Sequence, residues 1–206
     1  MKRASKRVLG LCLALVMILA LSACGSGRQN EADANTLRVF VCADHADEEK
    51  GGDAVAERLK ELLGDETEVE VFCLASSYDE PGAQSGSGMK IMVSIVSAEV
   101  DVILADEANA THDSLVESFY PLTDLLTEDE IAKVGDRALS YMLMDVDDRG
   151  NPVEEPLAAC GIDITGTGLA DGAVASDREM GFFVVANAPN KAASKKLMEA
   201  VVQMLP

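Results

Sequence analysis

A strand, a helix, a strand, a helix and a strand follow one another between Leu37 and Ala105, and this order restricts the chain more than any other feature. Leu37 to Cys42 (LRVFVC), Val69 to Leu74 (VEVFCL) and Val100 to Ala105 (VDVILA) are short runs rich in β-branched and aromatic residues, as buried strands require. Between the first two, Val55, Leu59, Leu62 and Leu63 fall on one helical face, with Asp53 as a helix cap and Gly64 at the C-terminal stop. Between the second and third, Met89 to Ala98 reads as an apolar helix preceded by a Ser-, Gly- and Pro-rich loop, Ser76 to Gly88. Right-handed crossovers turn such a pattern into a parallel sheet covered by helices on both faces. The expected fold class is therefore α/β: a three-layer α/β/α domain with a mostly parallel sheet, and with Leu37 to Cys42 in its centre.

The rest of the chain departs from this rhythm. A short helix is expected over Leu115 to Phe119. Thr127-Glu128-Asp129-Glu130 fits a capping box ahead of Ile131 to Val134. Ala138 to Val146 and Val153 to Cys160 flank a polar turn and read as an added antiparallel β-hairpin. Gly161 to Asp177 is irregular and Gly-rich, Gly181 to Ala186 is a last strand, and Asn190 caps a helix from Lys191 to Leu205.

The amino terminus carries a different message. Lys2, Arg3, Lys6 and Arg7 precede a 14-residue, largely apolar run from Val8 to Leu21. A bilayer-spanning helix needs about 20 apolar residues, so this is the layout of a secretory signal rather than a span. The sequence Leu21-Ser22-Ala23-Cys24 resembles the lipobox of bacterial lipoproteins. The resemblance implies cleavage before Cys24 and a diacylglycerol thioether on its sulfur. An ordinary signal with a chance cysteine is the plainer alternative, but charge, length and the Gly-Ser-Gly after Cys24 agree with one another. The organisation expected is a signal over residues 1–23, a lipidated cysteine and polar tether over 24–36, and an α/β domain over 37–206, on the extracytoplasmic face of a cell membrane.

Charge excludes some partners. The chain has 17 Lys+Arg against 36 Asp+Glu, a balance of −19. Loss of the four cations of the signal leaves 13 against 36, or −23. Nucleic acid is repelled by such a surface. Of the five cysteines, Cys12 leaves with the signal and Cys24 is assigned to lipid. Cys42, Cys73 and Cys160 remain. They read as buried hydrophobes, with a Cys42–Cys73 disulfide as the alternative.

Chemical motifs fail on their details. Asp145 to Gly150 begins like a calcium loop but places Pro156 where a bidentate carboxylate belongs. Gly166-Thr167-Gly168-Leu169-Ala170-Asp171-Gly172 has one residue too many for a dinucleotide fingerprint. Only two histidines exist, His45 and His112, each beside acids, and no nucleophile, base and oxyanion hole assemble. No enzyme activity, cofactor or metal is expected.

Three stretches carry a family resemblance. Ile95 to Ile103 leads a helix into a strand of the type x-D-V-I-x-A-D, ending at Asp106. Phe119-Tyr120-Pro121-Leu122-Thr123-Asp124-Leu125-Leu126 matches a Y-x-P-L-D-D-L pattern. Phe182 to Asn187, then Pro189-Asn190-Lys191 and the following helix, match an apolar strand, an x-N-K turn and an A-x-K-F-L-E helix. With the lipoprotein signal and tether, the chain resembles extracellular solute-binding lipoproteins of bacterial ABC transporters. The resemblance implies one lobe of a periplasmic-binding-protein-like fold, non-catalytic binding of a small molecule such as a sugar, and an ABC permease as partner. Family members usually have two lobes, and residues 37–206 supply one. An accessory or protein-interaction lipoprotein that keeps the lobe without a solute is the alternative. Ligands of open parallel sheets bind beyond the carboxyl ends of the strands. The expected ligand-binding residues are therefore Asp44, His45, Ser76, Ser77, Asp106, Glu107 and Asn109. The acids among them favour a neutral polyol or a cation, unless backbone amides of Ser85 to Gly88 receive an anion.

Overall fold

The apolar alternation of the first strand places Leu37, Val39, Val41 and Ala43 on one face of a sheet and Phe40 and Cys42 on the other. All six are buried, so this strand has a covered face on both sides. A computed structural model describes residues 35–64, 67–75, 86–111, 118–146, 152–175 and 178–206, within one unit, Asn35–Pro206. It leaves aside the side chains of 86, 87, 142–146 and 152–156.

In chain order the elements are β1 (Thr36–Ala43), α1 (Gly51–Leu63), β2 (Glu68–Ala75), α2 (Gly86–Val96), β3 (Val102–Ala105) and the single turn α3 (Glu107–Ala110). There follow α4 (Glu128–Val134), β4 (Ala138–Leu139), β5 (Met142–Val146), β6 (Pro152–Pro156), β7 (Gly161–Asp163), β8 (Gly181–Val184) and α5 (Lys191–Met204). Short 3₁₀ turns, Leu122–Asp124 and Gly135–Arg137, flank α4.

Six strands form one sheet in the order β2-β1-β3-β8-β7-β4. β1 lies between β2 and β3 and is parallel to both, with Val39 opposite Val71 and Val102. This is the arrangement expected for the three N-terminal strands. Beyond β3 the expectation of a mostly parallel sheet fails: β8, β7 and β4 join antiparallel in turn. Parallel neighbours are usually joined by a crossover helix, and among the described residues no helix lies between β4 and β7 or between β7 and β8.

Two cores fill the two faces. On one, Val55, Leu59 and Leu63 of α1, Val134 of α4, and Leu197, Met198, Val201 and Val202 of α5 cover Val39, Val41, Val102, Leu104 and Phe182. On the other, Ile91 and Ile95 of α2 cover Phe40, Cys42, Ile103 and Phe183. Burial of each such aliphatic side chain contributes about 1.5–3 kcal/mol. Lys196 Nζ donates to Leu63 O at 2.6 Å and fastens α5 to the end of α1.

Several local expectations hold. Gly64 ends α1 with φ 81°, a conformation that glycine adopts without strain. Thr127 and Glu130 form the capping box of α4, and Asn190 accepts the Ala193 N–H at the start of α5. Others do not hold. Asp53 does not cap α1, which begins two residues earlier; Asp47 Oδ1 instead accepts from Glu49 N and Lys50 N in the preceding turn, each at 3.0 Å. The antiparallel hairpin is β5–β6, but Ala138–Leu139, expected as the start of its first arm, belongs to the main sheet as β4, paired with Gly161–Asp163 as β7. The stretch from Gly161 is thus not wholly irregular. The expected helix over Leu115 to Phe119 falls largely outside the described residues, as do the signal, Cys24 and the tether.

Cys42, Cys73 and Cys160 are free and buried. Cys42 and Cys73 lie on opposite faces of the sheet, which rules out the alternative of a disulfide between them.

Candidate functional site

β1 and β3 are parallel neighbours, so their carboxyl ends release the chain at the same edge. Asp44 leaves β1 there, and Asp106 leaves β3, its N–H donating to Cys42 O at 3.2 Å. The Asp106 carboxylate is the centre of this edge. Its Oδ1 accepts from Asn109 N at 3.0 Å and from Asn109 Nδ2 at 2.7 Å, as the N-cap of α3. Its Oδ2 accepts from Asp44 N at 3.0 Å and from Arg178 Nη2 at 2.6 Å. The Asp106 side chain is 6% exposed and that of Arg178 32%, so the ion pair is inserted from the surface into the strand ends. Four donors on two oxygens satisfy a buried carboxylate fully.

The other expected site residues surround this pair unequally. Asn109 is fully buried and serves Asp106. Glu107 is exposed in the first turn of α3. His45 takes the left-handed backbone conformation, φ 60°, and its side chain stands in solvent with Nε2 3.5 Å from Asp44 Oδ2, an attraction that needs a protonated ring. Asp44 and His45 therefore face outward, while Asp106 and Asn109 hold the edge together. Ser76, Ser77 and Ser85 lie outside the described residues. Gly86 to Gly88 are the first turn of α2 rather than a loop.

Arg178 is the site residue that sequence reasoning missed. It belongs to the Gly-rich segment after β7, which three arginines fasten. Arg58 Nη1 donates to Asp171 O at 2.5 Å, and Arg137 Nη1 to Thr165 O at 3.1 Å and Asp163 O at 3.2 Å. Arg178 anchors the far end on Asp106. Ile164, Leu169 and Ala173 of this segment are buried. Gly166, Gly168 and Gly172 all have positive φ, so these glycines serve turns that let the segment fold back on itself. A shallow recess opens between Thr165, Gly166, Gly168, Asp171 and Arg178. The one signal for this role in the sequence was a cation isolated in a segment without helical or strand period.

At the opposite edge Asp101 precedes β3. It is buried, with Oδ2 accepting from Arg38 N at 2.9 Å and Oδ1 from Asn190 N at 2.6 Å. Burial raises its pKa above the ordinary carboxylate value, against the lowering effect of these two bonds and of the Arg38 charge.

The thiols are poorly suited to nucleophilic chemistry at neutral pH. Burial, and then Asp106, push Cys42 up strongly. Burial first, then Asp47 and Glu48, raise Cys73 to about 11, and burial raises Cys160 to about 11. Among the described residues no three His, Cys, Asp or Glu side chains come together as a metal-ligand set, and no helix is long and apolar enough to cross a membrane. Compared with family models, curated proteins and solved structures, the chain matches none of them.

Proposed function

We propose that this chain is a lipid-anchored extracytoplasmic protein whose α/β unit acts as a single periplasmic-binding-protein-like lobe. It binds a small solute without transforming it. Cys24 is the anchor. The observation that carries the reading is the convergence of Asp44 and Asp106, from two parallel strands, on one sheet edge beside Arg178. Parallel sheets leave polar groups available for ligands at that edge. Arg178 is neutralised by Asp106, so the outward groups are Asp44, His45 and Glu107, and this set suits a neutral polyol or a cation. Asp106 and Asn109 position them. An ABC permease is the partner that such a lobe would serve.

The test is a thermal-shift screen of the processed protein against sugars, peptides and metal ions. A solute that binds the native state at 100 times its Kd stabilises it by about 2.7 kcal/mol. A rise in Tm that Asp44→Ala reduces supports the reading. A silent screen favours the second reading, an accessory lipoprotein that docks a protein instead. That reading draws support from the Asp106 carboxylate, whose acceptors are already taken by donors of the chain itself.

A further inference from the structure

A surface helix of an acidic protein normally shows one apolar and one charged face. α2 does not. Its inner positions Gly88, Ile91, Ser94 and Ile95 are buried against the sheet. Its outer positions are apolar too: Met89 is 69% exposed, Val93 54% and Val96 76%. Phe72 of β2, 40% exposed, continues the patch, with Lys90 Nζ 5.7 Å from the centre of its ring. These four are all the large hydrophobic side chains left exposed among the described residues, and they share one face. α2 itself lacks anions, and the nearest acid beside Phe72 on β2, Glu70, is paired with Arg38. Residues 81–98 hold no Asp or Glu, in a chain with 36 of them. A helix with three large apolar side chains side by side in solvent marks an interaction surface.

We infer that the outer face of α2 is a homodimer interface, in which α2 packs antiparallel on α2 of a second copy about a two-fold axis at Val93. Three features select a second copy. Met89, Val93 and Val96 have the 4–3 spacing of a helix–helix seam, so the stripe is complementary to another of its kind. Two copies of a strongly acidic chain repel wherever their acids meet, and α2, which carries no acid, is an element through which they can approach. The two-fold also pairs opposite charges. With Val93 on the axis, Lys90 of one copy lies opposite Val96 of the other. It thus faces the carboxyl end of that helix, where cations are favoured, and exposed Glu99 follows just beyond. A membrane surface fits less well, because Lys90 is the only cation of α2 and interfacial helices carry many, together with aromatic anchors.

The test uses the full chain produced in its membrane. Val93→Cys places a thiol at the axis, while Cys42, Cys73 and Cys160 stay buried and the parent chain serves as blank. Under mild oxidation the variant should give a species of twice the chain mass. Glu57→Cys, exposed on α1, should not. Lys90→Glu is expected to lower the dimer yield about tenfold, since it sets a like charge against Glu99. Adding Glu99→Lys should restore the yield, which only the antiparallel two-fold predicts. Circular dichroism checks that each exposed-site variant keeps its fold. Crosslinking of Val93→Cys only to other proteins, to none, or no better than Glu57→Cys would overturn the inference, and so would a double charge variant as weak as the single one.

Discussion

Asp101 and Asp106 stand at the two ends of β3, and each carboxylate clamps the same neighbouring strand. Asp101 Oδ2 holds Arg38 N near the start of β1, and Asp106 Oδ2 holds Asp44 N just past its end. Each also reaches a distant segment: Asp101 receives Asn190 N ahead of α5, and Asp106 receives Arg178. Two acids five residues apart thus fix the central strand pair and tie to it two segments that follow much later in the chain.

The Asp106 clamp should be the more costly to break. Asp106→Ala leaves the Arg178 guanidinium and the Asp44 and Asn109 N–H groups without their acceptor. Breaking a largely buried ion pair from one side costs about 3–5 kcal/mol. Arg178→Ala leaves Asp106 with three donors and is expected to cost less, about 1–3 kcal/mol. Urea denaturation of both variants and of the double variant gives the coupling. Effects that simply add would show that the pair does not act as a unit.

Asp101 gives a pH signature. Its folded pKa is raised by burial, so its contribution to stability is fully present below the unfolded value of 3.8 and is lost as pH rises through the folded value. Asp101→Asn removes this titration. The variant should therefore lose more stability, relative to the parent, near pH 3 than near pH 7. Glu130 works in the opposite direction. Its bonds from Thr127 lower its pKa, so its contribution is present above 4.5 and lost as pH falls. Paired melts of parent and Asp101→Asn across this range cancel the Glu130 effect, and a constant difference would contradict the assignment.

How much of this was legible in the sequence depends on whether the determinant was local. β1, β2 and β3, the capping box at Thr127 and Glu130, and the α5 cap at Asn190 rest on residues close in the chain, and all were readable. The turn from parallel to antiparallel pairing was not. It depends on β7, three residues whose partners Leu139 and Phe183 are each about 20 positions away, and Gly161-Ile162-Asp163 alone has no strand periodicity. At the site, strand-end logic found Asp44 and Asp106. Arg178 lay 72 positions from its partner, and its only local mark was to be a lone cation in a segment without pattern.

Two glycines report on a ring that fills the second core. Phe183 of β8 stacks on Phe119, centroids 4.6 Å apart, and its ring lies over Gly161 of β7 and Gly181 of its own strand. A Cβ on Gly161 would come 2.1 Å from that ring, and one on Gly181 2.5 Å from it. Phe183 is fully buried and packs on the rings of Phe119 and Tyr141, so a shift of its ring displaces neighbours in a close-packed core. Gly161→Ala and Gly181→Ala should each cost about 1–3 kcal/mol through overpacking. Gly161→Ala combined with Phe183→Leu should cost less than the sum of the two single changes, because the smaller side chain makes room for the methyl group. Denaturant melts of the three variants measure the coupling, and strict additivity would mean that the ring does not make this contact.

The thiols and the anchor can be read in one experiment. Cys42, Cys73 and Cys160 are buried, and their pKa values are raised, those of Cys73 and Cys160 to about 11. Attack on an alkylating agent needs the exposed thiolate, so all three should resist labelling of the native protein at neutral pH and react once it is unfolded. Cys24 should behave differently. If its sulfur carries lipid, it stays unlabelled even after unfolding, and the mature N-terminus measured by mass begins at that residue with the added acyl mass. Cys24→Ala should leave an uncut or differently cut precursor that no longer partitions into detergent. Peptide-resolved labelling separates the four sites. A labelled Cys24 in the unfolded protein would remove the anchor from the proposed function, whereas labelled Cys42 in the native protein would contradict the burial of β1.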